Sequence, residues 1–554
     1  MKTDIEIAQA NDLEAIERIA HKTKISSDYL ELYGKYKAKI NLDIEKDLIQ
    51  IQNGKLILVT AITPTKAGEG KSTTTVSLVD GLAHLNKNVI GCMREPSLGP
   101  VFGIKGGATG GGYAQIVPME DINLHFTGDM HAITSANNLI SALIDNSIYQ
   151  GNTLNINSDK ILWKRCMDMN DRALRDIEIS RNDKKATPRT DSFIITVASP
   201  LMATLCLSKD LIDLRKRLSA TMIAYNLDDQ PVTLADLHCV GSIILLLKDA
   251  IKPNLVQTLE KNPVFVHGGP FANIAHGSNS IIATRLALKL ADYVVTEAGF
   301  GSDLGAQKFM DITCVNGEFK PSAVVLVCTV RALKLHGNES YDNLKIENVE
   351  AVKKGLPNLK KHTEILETYQ VPYVVTLNRF SSDSKAEVDC VEAWCKTNNI
   401  EFVVCDGWER GSDGALDLSH KVLDLCNREN HYRSILDANS SIETKIETIA
   451  KKIYGANGVE YSALALSQLK DIYKNKFEHL NVCIAKTQAS VSDDPKLLGY
   501  PSDFNLHVRD LHVSSGAGFV VVIAGSIMTM PGLSKDPAAY HIDMDQSGNI
   551  VGLF

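Results

Sequence analysis

No two cysteines in this 554-residue chain stand at CxxC spacing. The eleven cysteines are scattered, and the closest pair, Cys390 and Cys395, does not make a metal signature, so reduced thiols are expected. A long basic tract is also missing. Lys and Arg total 58 against 66 Asp and Glu, a net charge of −8 from interleaved signs, which argues against nucleic acid or a membrane surface as partner. No apolar run reaches the length of a membrane span. The N-terminal MKTDIEIAQAND has no signal-peptide core and carries acids where a transit peptide avoids them, so a cytoplasmic location is expected. No usable internal repeat is present. What remains is ordinary globular composition, 44% apolar and 22% charged, in a chain long enough for about three domains.

The most informative stretch is residues 56–75, LILVTAITPTKAGEGKSTTT. A β-branched apolar run leads into a Pro/Gly-punctuated turn, and Gly70-Lys71-Ser72 opens a helix-compatible segment. Strand, glycine turn and helix N-terminus aim backbone N–H groups and the positive helix end at an anion, with a lysine charge added. Thr65 stands where a full Walker pattern has its first glycine. The candidate phosphate loop is Thr65, Lys66, Ala67, Gly68, Glu69, Gly70, Lys71 and Ser72. An ordinary βα turn is the competing reading.

Residues 1–50 read as mainly helical, with Asp12 as a possible cap and the basic–aromatic YGKYKAKI (33–40) as a solvated segment. A second apolar strand, 89–92, delivers Arg94 and Glu95. In a βαβ arrangement the carboxyl ends of parallel strands open on one crevice, which brings Arg94 near Lys71. The segment 99–115 holds a dense run of glycines around Lys105, suggesting close backbone approach to a ligand. His125, Asp129 and His131 lie close together without metalloprotease spacing, and 131–180 reads as dominantly helical. Strands are expected at 191–198, 264–266, 292–296 and 323–329, and helices at 209–218 and 281–290. The strand-end His267 and His276 fit ligand contacts better than burial. This succession of βα units predicts a large α/β domain with a mostly parallel sheet. Charge thickens near 339–358, marking a boundary. Two further strands, 373–377 and 402–405, run into Phe380 and Trp408, a pair suited to stacking on a flat ring. Helices around 443–476 and a strand at 519–523 form a folded C-terminal portion. The expected division is 1–345, 346–445 and 446–554.

Together ITPTKAGEGKSTTT, CMREPSLGPVFGIKGGATGGGYAQ, NLHFTGDMHAI, PNLVQTLEKNPVFVHGGPFANIAHGSNS, ADYVVTEAGFGSDLG and IMTMPGL resemble, in order, the blocks of the formate–tetrahydrofolate ligase family. That resemblance implies one large P-loop-like nucleotide-binding domain with two smaller α/β domains, in a homotetramer. It implies ligation of formate to tetrahydrofolate, possible in polyglutamylated form, with Mg-ATP, through formyl phosphate. By resemblance Lys71 contacts the ATP phosphates, Arg94 holds formyl phosphate, and Glu95 serves a K⁺ or NH₄⁺ activator. By P-loop analogy Ser72 meets the Mg²⁺–phosphate unit. Phe380 and Trp408 sandwich the pterin, with adenine as the competitor, and Phe300 lines a ligand. His125 and His267 handle a proton or orient a substrate. Pro200 and Ser381 depart from the family pattern, at a glutamate and a proline respectively, and leave room for a folate- or nucleotide-binding protein without activity. A P-loop NTPase coupled to conformational change is the other alternative class.

Overall fold

The computed structural model describes residues 2–66, 68–103, 109–183 and 185–553; Ala67 and Lys105 lie outside the described residues. Ten strands form the path of one large sheet: β1 (Leu30–Leu32), β2 (Ala38–Ile40), β3 (Lys55–Ala61), β4 (Val89–Met93), β5 (Asn254–Thr258), β6 (Pro263–Val266), β7 (Tyr293–Glu297), β8 (Pro321–Cys328), β9 (Tyr373–Asn378) and β10 (Phe402–Cys405). Their order in space is β1-β2-β5-β6-β4-β7-β3-β8-β9-β10. Every neighbouring pair from β6 to β10 is parallel, whereas β1, β2, β5 and β6 pair antiparallel. The sheet is therefore mixed, with a parallel half.

Alternation along β3 explains why that half is apolar throughout. Leu56 and Leu58 enter a core with Leu286, Ala287, Val352 and Leu359, from helices Ile281–Leu290 and Val349–Thr368. Ile57 and Val59 face the other way, onto Leu78 and Leu82 of α1 (Lys71–His84) and Leu418 and Val422 of helix Leu416–Leu425. Side chains of a strand alternate in direction, so a strand covered by helices on both faces reads as a continuous apolar run.

Between β4 and β5 the chain builds a separate unit. Helix Asp129–Tyr149, helices Leu211–Ser219 and Val240–Leu247, and strands Ile156–Ile161, Met222–Asn226 and Pro231–Thr233 surround a core of Ile133, Ile140, Leu214 and Ile243. A four-stranded mixed sheet in the C-terminal portion runs Gly458–Tyr461, Asn505–Ser514, Phe519–Ala524, Asn481–Ala485.

Several expectations change. Strands β9 and β10 extend the large sheet beside β8, so sheet pairing runs straight across the boundary expected near residue 345. The stretch 163–175 holds no α-helix, only a single 3-10 turn at Arg172–Leu174. Arg165–Met167 is a strand parallel to Phe193–Ile195, and Arg165 reaches Asp145 and Asp191, partners that a helix would not offer together. Asp12 caps nothing: the first helix, Asp4–Gln9, is capped by Thr3 and Glu6 in a capping box. The segment 33–40 is not solvated at its end. Lys39 on β2 is fully buried, with Nζ 2.7 and 2.9 Å from the two carboxylate oxygens of Asp129. A buried ammonium needs such a partner. His267 and His276 are likewise fully buried.

Candidate active site

Parallel pairing aims the carboxyl ends of β3, β4, β7, β8, β9 and β10 at one edge, the place where open α/β sheets bind ligands. After β3 the chain turns through Gly68 and Gly70, both left-handed at φ 80° and 69°, into α1. Among the described residues no side chain caps α1, and its first residue is Lys71. Gly70 is needed twice over, because a Cβ there would also lie 2.1 Å from Asn378 Nδ2. Asn378, at the end of β9, donates Nδ2 to the Glu69 carbonyl at 3.2 Å. The Glu69 side chain is buried and turned back on its own loop: Oε1 accepts the Thr65 N–H at 2.6 Å and Oε2 accepts from the Thr329 hydroxyl. Glu69 thus shapes the loop, while Lys66 is exposed, 5.9 Å above the Tyr341 ring.

Glu297, at the end of β7, joins the two cationic sides. Its Oε2 accepts the Ser72 hydroxyl at 2.8 Å, and its Oε1 lies 3.4 Å from Arg94 Nη2. Arg94 follows β4, and its guanidinium lies against Gly299, where an added Cβ would be 2.8 Å from Nη1. Arg94 Nε is buried and unpartnered among the described residues, as is Glu95 Oε2. Burial and the neighbouring Asp129 carboxylate hold Glu95 well above the usual carboxylate range. A carboxyl in that state favours either a proton or a cation. Phe300 follows in a left-handed conformation, φ 58°, a strained state for an aromatic residue.

The two histidines part company. His267 is fully buried: Nε2 donates to the Ala250 carbonyl at 2.7 Å and Nδ1 accepts from Ser280 Oγ at 2.6 Å. Burial pushes it down to about 4, so it is neutral at physiological pH. His125 is exposed. Asp168, held above the usual carboxylate range by burial, accepts from Ser97 Oγ at 2.6 Å and the Leu98 N–H at 3.0 Å.

Phe380 and Trp408 sit beyond the ends of adjacent strands β9 and β10, both half-buried. The Arg331 guanidinium lies 4.0 Å from the centroid of the Phe380 ring and covers it. Trp408 meets the glycine-rich segment: its carbonyl accepts the Tyr113 N–H at 2.8 Å, and a Cβ on Gly112 would lie 2.8 Å from the ring. The close approach expected of those glycines is, at Gly112, an approach to Trp408. The two departures are accommodated locally. Pro200 is the first residue of helix Pro200–Leu207, capped by Ser199, a position that loses no hydrogen bond to proline. Ser381 lies in a turn closed by Asp383, whose N–H reaches the Phe380 carbonyl and whose carboxylate takes the Phe380 N–H, each at 2.9 Å.

Residues 2–554 match the family described as formate–tetrahydrofolate ligase. The chain belongs to the formate–tetrahydrofolate ligase family. It is accordingly a ligase that joins formate to tetrahydrofolate at the expense of ATP. No helix among the described residues is long and apolar enough to cross a membrane. Nor do three or more His, Cys, Asp or Glu side chains group as a metal centre among them. The sequence assigns no role to Glu297 and Arg331. A carboxylate or arginine just past a βα strand end was the available signal, and it is a common one.

Proposed function

We propose that the ligation runs through formyl phosphate in the crevice between Lys71 and Arg94. The arrangement that supports this most directly is the Glu297 carboxylate, which draws Ser72 and Arg94 onto one side chain. Formate is a poor acylating agent because hydroxide leaves poorly. Transfer of the γ-phosphoryl group to a formate oxygen supplies phosphate as leaving group, and N10 of the folate then attacks the formyl carbon and gives up its proton. Phosphoryl transfer asks mainly for position and neutralised charge. Lys71 and the uncapped start of a P-loop-like α1 hold the ATP phosphates. The planar fork of Arg94 takes the transferred phosphate oxygens. The remaining loop positions, Thr65 to Gly70, set the backbone around the nucleotide.

Mg²⁺ is held chiefly by substrate phosphates and keeps several waters, so a sparse protein donor set of Ser72 with Glu297 fits it. The buried, unpartnered Oε2 of Glu95 fits a monovalent cation. Bound there, such cations offset phosphate charge. The pterin lies between Trp408 and the face of Phe380 not covered by Arg331, with Phe300 nearby. His267, fully buried with both ring nitrogens engaged by Ala250 and Ser280, braces the loop after β6 instead of meeting substrate; His125 handles the proton. The assembly is a homotetramer that accepts polyglutamylated folate.

The test omits ATP, formate and tetrahydrofolate in turn while following 10-formyltetrahydrofolate. Lys71→Ala and Arg94→Ala should each lower kcat/KM by about two orders of magnitude, as expected when a charge acts mainly in the transition state. Undiminished turnover in both variants would refute their assignment.

A further inference from the structure

We propose that His362 is a positioning residue that sets the phosphate loop against the loop carrying Glu297 and Phe300. This rests on the assignment of Lys71, Ser72 and Arg94 to phosphoryl transfer. His362 belongs to helix Val349–Thr368, behind the crevice, and is fully buried. Its Nε2 accepts the Thr63 N–H at 2.8 Å and lies 2.9 Å from the Thr63 hydroxyl. Thr63 is the second residue past β3, where the phosphate loop begins. Because Nε2 receives a backbone N–H, it carries no proton, and the neutral ring holds its proton on Nδ1. Nδ1 is 2.7 Å from Ser302 Oγ, so the ring donates to Ser302, five residues beyond Glu297 and two beyond Phe300. One ring thus ties the loop that ends in Lys71 to the loop that begins at Glu297.

The surroundings leave the ring little freedom. A Cβ on Gly301 would lie 3.1 Å from His362 Cε1, so only glycine lets the second loop press against the ring. Thr63 is held from its other sides as well. Asn358 donates Nδ2 to its hydroxyl oxygen at 3.0 Å, and His336 Nε2 donates to its carbonyl at 3.1 Å. His336 and Asn358 also hold Gly499, through the Gly499 N–H and carbonyl respectively. Thr63 is fully buried, so no water competes for these groups. Asn358 Oδ1 has no partner among the described residues, but a buried network connected in this way still fixes geometry more firmly than isolated bonds do. The network thereby joins the phosphate loop, the Glu297 loop and the segment at Gly499, which connects strands Asn481–Ala485 and Asn505–Ser514.

The experiment uses the full chain and the variants His362→Gln and Ser302→Ala, singly and together, beside Lys71→Ala. The amide oxygen of Gln keeps an acceptor for the Thr63 N–H but leaves Ser302 without its donor. Ser302→Ala removes the same link from the other side with little risk to folding. Each single variant should lose about tenfold in kcat, the order expected for a small misplacement of reacting groups. KM for ATP should change less than kcat, and the double variant should be no worse than the poorer single. The pH–rate profile should keep its shape, because the ring trades no proton. Single variants within twofold of wild-type kcat, or additive losses in the double variant, would overturn the proposal. So would loss of one limb of the pH profile, which would make His362 a proton carrier. Turnover surviving Lys71→Ala removes the phosphate-site reading and this proposal with it. Turnover lost in Lys71→Ala but kept in His362→Gln and Ser302→Ala defeats the positioning role alone.

Discussion

His276 shows how far burial governs single residues in this molecule. Neither ring nitrogen has a partner among the described residues, and the side chain is wholly buried. Burial, with the charges of Lys308, Arg94 and Arg217, pushes it down to about 3 from the usual 6.5. Below pH 6.5 the unfolded chain takes up a proton that the folded chain refuses until about pH 3. The contribution to stability is therefore complete above 6.5 and falls away as the pH drops through it. At pH 5 one such group costs about 2 kcal/mol. Asp80, fully buried and raised to about 8, acts in the opposite sense, gaining stability as the pH falls between 8 and 3.8. A comparison of wild type with His276→Leu removes Asp80 from consideration, since both proteins carry it. Urea midpoints at pH 7.5 and pH 5 should show the variant gaining on the wild type by about 2 kcal/mol on acidification. A gap that does not change with pH would mean that the folded protein protonates His276 after all.

At the scale of elements, the contact between the glycine-rich segment and Trp408 is the most exposed to a small change. Gly112 has φ 57°, and a Cβ there would lie 2.1 Å from the Trp408 carbonyl oxygen as well as 2.8 Å from the ring. Gly112→Ala must move the segment or the ring. KM for tetrahydrofolate should rise several-fold while KM for ATP stays near wild type, in steady-state assays with each substrate varied. Equal rises in both would break the assignment of Trp408 to the pterin. The same contact explains what was legible in the sequence. Strands such as β10 and helix Ile281–Leu290 were readable to the residue, because β-branched runs and turn residues bound them locally. Glycine density could announce a close approach but not its partner, which lies almost 300 residues away. Arg165–Met167 was misread because its strand character comes from pairing with Phe193–Ile195, a non-local cause. Lys39 was misread because a lysine between Ala38 and Ile40 looks solvated until Asp129 is placed beside it. The site followed the same rule: strand-end Lys71, Arg94, Phe380 and Trp408 stood out one by one, whereas their connectors Glu297, His362 and Arg331 are defined only by distant neighbours.

The whole molecule is joined behind the crevice rather than across it. Ile446, Leu469, Val482 and Val520 of the C-terminal portion belong to the same apolar core as Leu56 and Leu58 of β3. A buried ion pair crosses that junction: Lys486 Nζ lies 2.6 Å from Asp303 Oδ2, both side chains almost wholly excluded from solvent. Nζ also donates to the Ser490 carbonyl at 2.6 Å and stands 4.9 Å from the Tyr454 ring centroid. Asp303 follows Ser302 directly, so the pair ties the C-terminal sheet to the loop that His362 holds from the other side. Lys486→Met leaves a buried carboxylate without its partner and should cost about 3–5 kcal/mol, measured from urea unfolding. Adding Asp303→Leu removes the orphaned charge and should recover much of that loss, since two apolar groups of similar size avoid the desolvation of both ions. The double variant should nonetheless turn over more slowly than wild type, because the loop after β7 has lost one of its anchors. A single variant costing under about 1 kcal/mol would place the pair among solvent-screened bridges and leave the apolar core alone to hold the C-terminal sheet in place.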